Sequence, residues 1–375
     1  MKEVQGKSAG IAQTVLGRIT FKPRMFGRAD YILVCEKAPK RISGYAAVIA
    51  MTAAPDSSGP LCVVPSLEIF CEGDAAAVTP EGRVMVVYEK NSEHNALMLT
   101  EQCNHRCLMC PQPPKNEKDN LTAFNLRLID LIDKNTRELG ITGGEPTLAG
   151  DDLFLIIEKL KSRLPNTCLT LLTNGVKFAN PEYALKLARC QHPDLQIDVP
   201  IFSDVAALHN EIVGAKTFYR TVHGLYNLAR FNQRIGLRIV LHKLTYRRLP
   251  QLAEYIYRNF PFVTQVAFMQ MENAGLAEDN LDRLWIDPFD YNDQLKNAVL
   301  LLQQRGLRPV IYNAQLCILP VELRQFAVQS ISDWKDIYIQ ECEGCTLRGS
   351  CAGFFLSNKK QHSLHIKAVL QQERK

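Results

Sequence analysis

The 375-residue sequence has no apolar run of membrane-spanning length. Its longest, YAAVIAMTAA at 45–54, is well short of the roughly 20 residues a spanning helix needs. The opening MKEVQGKSAGIAQTVLGRITF has no apolar core of the kind an export signal carries. There is no long block of like charge, and 44 Lys and Arg against 39 Asp and Glu leave a formal +5, too little to imply a nucleic acid partner. Nor is the chain poor in apolar residues: 46% hydrophobic and 22% charged exclude a long disordered region. A cytoplasmic, non-membrane protein is expected, with two or three domains at about 150 residues each. Twelve cysteines in that compartment do not form a disulfide framework, which leaves metal or redox chemistry.

Cys35, Cys62, Cys71, Cys168 and Cys190 stand apart among mixed neighbours and read as small core hydrophobes. The other seven cluster. Cys103, Cys107 and Cys110 lie in LTEQCNHRCLMCPQPPK with CxxxCxxC spacing; Cys342, Cys345 and Cys351 lie in ECEGCTLRGSCAGFF, with Cys317 upstream. Thiolates so placed could hold zinc, iron–sulfur clusters or nothing. Structural zinc takes four ligands, usually as two short pairs. The first group has three sulfurs, and His105 reads as a loop residue facing solvent or a cluster rather than as a fourth ligand. Three cysteines on a four-iron cluster leave one iron open to a small molecule. The four C-terminal thiolates suit either a closed cluster or a zinc ribbon.

Strand-length apolar runs at 96–99, 139–142, 168–173, 195–201, 236–241 and 263–269 alternate with helical stripes. Leu121, Phe124, Leu128 and Leu131 form one stripe, Phe218, Val222, Leu225 and Leu228 another, and Leu252, Tyr255 and Ile256 a third. Six such units predict an α/β fold: a parallel sheet curved into a partial (β/α)6 TIM-like barrel, with chemistry on the loops after the strands' C-terminal ends. The first cysteine group directly follows the first of these strands. Apolar runs at 44–51, 61–64, 67–71 and 84–88, set between Pro, Gly, Asp and Ser, predict a strand-rich N-terminal domain over 1–92. The core domain is expected over 93–300. A helix marked by Tyr291, Leu295, Val299 and Leu302 leads into a small cysteine module over 301–375. A second signal ends the second barrel strand, ITGGEPTL, with Gly143, Gly144, Glu145 and Pro146. Paired glycines let the backbone approach a ligand, and a carboxylate there can accept from an ammonium group.

CxxxCxxC followed one βα unit later by GGEP resembles the radical SAM superfamily. The resemblance implies that Cys103, Cys107 and Cys110 bind a 4Fe-4S cluster whose open iron is chelated by S-adenosylmethionine. It implies that Gly143, Gly144, Glu145 and Pro146 hold the methionine amino group, and that Met109 lies near the adenine. Thr173 and Asn174 of TNG, and Ser203, are similar to family positions near the methionyl carboxylate and ribose. The implied chemistry is one-electron cleavage of S-adenosylmethionine to a 5′-deoxyadenosyl radical, which takes a hydrogen atom from the substrate, with an external electron donor. Cys317, Cys342, Cys345 and Cys351 resemble the auxiliary-cluster (SPASM or twitch-like) module of peptide-modifying members, which implies a second 4Fe-4S cluster. Both clusters together would lower the formal +5 to about +2.

Within the superfamily, CLMCPQPPK, IYNAQLCILP, SISDWK at 330–335 and CAGFF resemble the maturase of the His-Xaa-Ser repeat peptide system (HxsC type). That resemblance spans about residues 90–357. It implies a ribosomally made precursor peptide with His-Xaa-Ser repeats as substrate and a second radical SAM maturase as partner. The alternative is a radical SAM enzyme acting on a protein side chain, a nucleoside or a small molecule; from another class, a non-catalytic zinc-binding scaffold. The N-terminal domain reads as a leader-binding sheet edge or a structural cap. Glu272 and Asn273 read as site-facing or ordinary loop residues, and Trp334 as a peptide contact or a packed aromatic.

Overall fold

The computed structural model describes residues 2–23, 27–40, 42, 44–53, 58–116, 120–329 and 337–370. The SISDWK segment with Trp334 therefore lies outside the described residues. Short apolar and β-branched runs broken by glycine turns build a first sheet from β1 (Glu3–Gln5), β2 (Lys7–Ala9), β3 (Val15–Thr20), β4 (Tyr31–Lys37), β5 (Ala47–Thr52), β6 (Leu61–Val63), β7 (Ala75–Val78) and β8 (Arg83–Tyr88). Its order is β1-β8-β7-β3-β4-β5-β6-β2. The strands β3 to β6 pair in parallel and the others join antiparallel. Ile19, Ile32, Val34, Ile49 and Val84 fill its core. Its edges, β1 and β2, are three residues each, and edges that short resist further pairing.

The strand-rich N-terminus is present, but residues 67–71 are not a strand. They form a turn in which Phe70 N–H donates to Leu67 O, and the Asp74 carboxylate takes the Cys71 N–H at 3.2 Å. Such a side-chain bond to nearby backbone favours a turn over a ladder. Cys71 is exposed there, and Cys35 and Cys168 are half-buried; Cys62 and Cys190 are the two isolated cysteines that sit in the core.

The second sheet contains β9 (Asn95–Met98), β10 (Glu138–Thr142), β11 (Cys168–Leu172), β12 (Leu195–Pro200), β13 (Arg234–Leu241), β14 (Gln265–Gln270), β15 (Pro309–Tyr312) and β16 (Ala327–Val328). Its strands lie side by side in chain order, and every pairing from β11 to β16 is parallel. The crossovers carry α1 (Thr122–Leu131), α2 (Asp152–Arg163), α3 (Pro181–Cys190), α4 (Ala206–Val213), α5 (Phe218–Arg230), α6 (Leu249–Asn259), the short α7 (Leu276–Asp279) and α8 (Leu281–Leu284), and α9 (Asn292–Gln304). Sequential parallel strands linked by helices make a partial TIM-like barrel. The six expected strands are β9 to β14, and β15 and β16 extend the sheet. By contacts the chain divides into two units, 1–97 with 120–139 and 155–168, and 98–119 with 140–154 and 169–375. Among the described residues no helix is long and apolar enough to cross a membrane.

Phe268, mid-way along β14, is fully buried, whereas the Leu364 side chain is 90% exposed. Phe268→Ala is expected to lower the unfolding free energy by about 3–5 kcal/mol in urea titrations. Leu364→Ala should shift it by less than about 0.5 kcal/mol; equal effects would contradict this packing. His242, just past β13, has no exposure, and its Nδ1 accepts the Leu244 N–H at 3.2 Å. Burial holds its pKa down to about 3, below the roughly 6.5 of an unfolded chain. The stability it contributes is whole above about pH 6.5 and is lost as pH falls toward the folded value. Thermal melts of wild type should therefore drop more steeply below that pH than those of His242→Gln; parallel curves would refute this.

Candidate active site

After β9 the chain runs over the tip of β10. Leu99 N–H donates to Thr142 O at 2.9 Å, Gly144 N–H to Thr100 O at 2.8 Å and Glu145 N–H to Gln102 O at 2.8 Å. The approach is so close that a Cβ on Gly144 would stand 2.2 Å from Gln102 O, and one on Gly143 would stand 2.4 Å from Thr100 O. Gly143 also has a φ of +154°, which disfavours a side chain. The paired glycines thus press the strand end against the backbone that leads into Cys103.

Glu145 sits under this contact, 1% exposed. Its Oε1 accepts from Thr147 N–H at 3.0 Å, Thr147 Oγ1 at 2.6 Å and Thr173 Oγ1 at 2.7 Å, and its Oε2 accepts from Asn174 N–H at 2.7 Å. Burial pushes its pKa up against the pull of these four donors. Asn174 Nδ2 in turn donates to Asn104 Oδ1 at 2.6 Å, inside the cysteine loop. Thr173, Asn174 and Glu145 are therefore one network that reaches the CxxxCxxC segment. Asn104 was not singled out by any motif; its place between two cysteines was the one available sign. Pro146 opens a 3-10 turn over Pro146–Ala149.

The far side of the loop is held by α4 and α7. Arg106 N–H donates to Val213 O at 3.0 Å, Leu108 N–H to Ile212 O at 2.9 Å, and Leu276 N–H to Cys110 O at 2.9 Å. Met109, 5% exposed, packs with Phe202, Ile212 and Met271, and Cys107 packs against the same cluster. Ser203 is buried and its Oγ takes the Val205 N–H at 3.0 Å, shaping the turn into α4; the neighbouring Asp204 is ion-paired with Arg248 at 2.5 Å. His105 does not face solvent: its ring is buried and Nε2 pairs with Thr217 Oγ1 at 2.9 Å. Burial lowers its pKa to about 4, which leaves it neutral. Burial likewise pushes the Cys107 and Cys110 thiols up and Cys103 to about 11, and neighbouring sulfurs add to the shifts of Cys103 and Cys107. Buried thiols of this kind become thiolates when a metal centre compensates their charge. Cys103 Sγ already accepts the His105 N–H at 3.4 Å.

The C-terminal cysteines form a second group. Leu316 N–H donates to Cys351 Sγ and Val369 N–H to Cys345 Sγ, each at 3.4 Å. Cys317 and Cys342 pack beside Ile318, Phe354 and Ile366. Burial raises both thiols, and the Cys351 sulfur raises both further. Among the described residues no three His, Cys, Asp or Glu side chains are already set around the position of one metal ion. The three thiols of the first loop suit an iron–sulfur centre with one open iron, and the four C-terminal thiols suit a closed iron–sulfur centre or a zinc site. Asn273 is structural, its N–H donating to Asn358 Oδ1 at 2.9 Å while Asn358 Nδ2 donates to Met271 O at 3.0 Å.

Residues 97–256 match the family model described as the radical SAM superfamily. That segment is a radical SAM domain. A GTP 3',8-cyclase of Pasteurella multocida is 28% identical over 228 residues, which cover 59% of this chain and 65% of that protein. One from Nautilia profundicola is 27% identical over 198 residues, covering 50% and 59%. The chain thus spans less than two thirds of these relatives' lengths. Streptococcus suis SuiB bound to S-adenosylmethionine overlays at a TM-score of 0.48 and 15% identity, covering 58% of this chain and 49% of that one, too low to carry over a substrate. The curated relatives correct the expectation of a His-Xaa-Ser maturase: they are named for a reaction of GTP, not for the modification of a precursor peptide.

Gly144→Ala is expected to prise the cysteine loop from the strand end and to retain less iron than wild type after anaerobic reconstitution. Equal iron content in the two proteins would contradict the clamp.

Proposed function

We propose that this radical SAM enzyme acts on a purine nucleotide, with GTP the first candidate. The observation that carries the reading is the CxxxCxxC loop clamped on the GGEP strand end, together with the name of the curated relatives, GTP 3',8-cyclase. In this reading Cys103, Cys107 and Cys110 hold a 4Fe-4S cluster with one open iron, and Cys317, Cys342, Cys345 and Cys351 hold a second, closed cluster. Gly143, Gly144, Glu145 and Pro146 face the methionine amino group, Met109 the adenine, and Thr173, Asn174 and Ser203 the remaining polar groups of S-adenosylmethionine. When bound, the first cluster and S-adenosylmethionine supply a 5′-deoxyadenosyl radical, and an external donor supplies the electron.

The chain's own residues have three tasks. Asn104, Glu145, Thr173 and Asn174 fix the loop through bonds that need no ligand. Oε2 of Glu145 accepts one hydrogen bond, from Asn174 N–H, and has lone-pair capacity for a further donor such as an ammonium group. Met109, Phe202 and Met271 keep water from the loop's inner side, which a reactive radical requires. Neutral His105 carries no imidazolium proton to transfer at neutral pH. The N-terminal sheet then serves as a structural domain.

Anaerobic reconstitution should give about eight iron and eight sulfide per chain, and about four of each in Cys345→Ala. After reduction, GTP should raise 5′-deoxyadenosine formation from S-adenosylmethionine above the rate without it, and Cys107→Ala should form none. No 5′-deoxyadenosine under any condition would overturn the assignment of the first cysteine group. Formation that ignores GTP would overturn the nucleotide substrate.

A further inference from the structure

On β13, Ile235, Leu237, Ile239 and Leu241 are at most 2% exposed, and the strand's other face carries Gly236, Arg238 and Val240. Val240 packs against the cluster that contains Met109 and Phe202, with Cys107 beside it. Arg238 therefore shares a face with the cysteine loop and lies two residues, about 6.6 Å of strand, before Val240. Its Nε donates to the sulfur of Met269 at 3.2 Å, and Met269 pairs in register with Val240. A thioether is a weak acceptor for a group with five donors. Among the described residues the Arg238 side chain has no ion pair and no other hydrogen bond.

The acidic group that acts on it most strongly is Asp198, whose Oδ1 accepts from Gln196 Nε2 at 2.8 Å. Asp198 lies over Gly236, where a Cβ would stand 2.2 Å from its Oδ1, so that glycine keeps the carboxylate in place. Tyr312, half-buried on β15 and paired in register with Met269, closes the same patch. Burial lowers the Arg238 pKa, yet a guanidinium stays charged in proteins. The result is an inward-facing cation beside the cysteine loop whose terminal nitrogens are left without acceptors.

We propose that Arg238 is the substrate's anion-recognition residue, binding a phosphate group through its terminal nitrogens from the inner face of the barrel. This rests on the nucleotide reading above and names the group that the substrate presents there. Guanidinium and phosphate match as a bidentate, charge-assisted pair. Asp198 orients the guanidinium electrostatically while opposing an anion that comes too near.

The test is equilibrium binding to the anaerobically reconstituted protein, with GTP, guanosine and inorganic triphosphate as probes. Arg238→Gln should weaken GTP binding about tenfold or more, with partial recovery in Arg238→Lys. Guanosine should bind wild type and Arg238→Gln alike, and inorganic triphosphate should displace GTP from wild type. Asp198→Asn, which keeps the side chain's shape, should tighten GTP binding and keeps the question open to test if Arg238→Gln does not fold. Unchanged GTP affinity in Arg238→Gln, or an equal loss for guanosine, overturns the assignment, as does weaker binding in Asp198→Asn. If wild type binds no GTP, the nucleotide reading fails and inorganic triphosphate decides alone. Triphosphate binding lost in Arg238→Gln then upholds the anion site, and equal or absent binding overturns it.

Discussion

Glu145 is the point on which the site turns. A carboxylate removed from water must find donors close by or take up a proton. This one finds four, from Thr147 in its own turn and from Thr173 and Asn174 at the end of the next strand. The ends of β10 and β11 are thereby held at one spacing. The Asn174 amide passes the constraint to Asn104, and Gly143 and Gly144 allow the backbone contact that fixes the opposite side of the same loop. The cysteine loop, which has no helix or strand of its own, thus gains a fixed position from bonds that are part of the fold.

The barrel determines what this position faces. Parallel strands laid down in chain order bring the ends of β10 to β14 to one rim, and α4 and α7 grip the loop from the other side. The C-terminal cysteine module joins that rim through Asn273 and Asn358, so both cysteine groups belong to one compact unit. Between rim and sheet, the inner face of β12 to β15 is polar in a way that folding does not demand. Asp198, Arg238 and Tyr312 occupy positions where apolar residues would pack more simply.

The barrel strands were legible in the sequence because each combines strand length with apolar residues that the helices cover. Where polarity at one face mattered more than length, the reading failed. Residues 67–71 are apolar enough for a strand, but the Asp74 side chain draws their backbone into a turn. His105 is in a loop but not solvent-facing, because Thr217, more than a hundred positions away, takes its ring, which nothing in CNHRC announces. Arg238 carried a usable signal that was passed over: a charged residue inside the apolar alternation of RIGLRIVL marks an inward position. The cluster motif and GGEP were legible because their spacing is set by local chemistry. Substrate class was not. IYNAQLCILP and CAGFF, which suggested a peptide maturase, serve packing: Gln315 Nε2 donates to Gly353 O at 2.7 Å, and Phe354 bridges Ile337. Segments that hold a module together say little about what the module's neighbour binds.

The central claim is that the clamped three-cysteine loop holds a cluster with one iron open to S-adenosylmethionine. Electron paramagnetic resonance of the reconstituted, reduced protein tests it most directly. Adding S-adenosylmethionine should shift the signal of one cluster in wild type and have no effect in Cys107→Ala. A wild-type spectrum that is identical with and without S-adenosylmethionine, in protein loaded with iron and sulfide, would contradict the account.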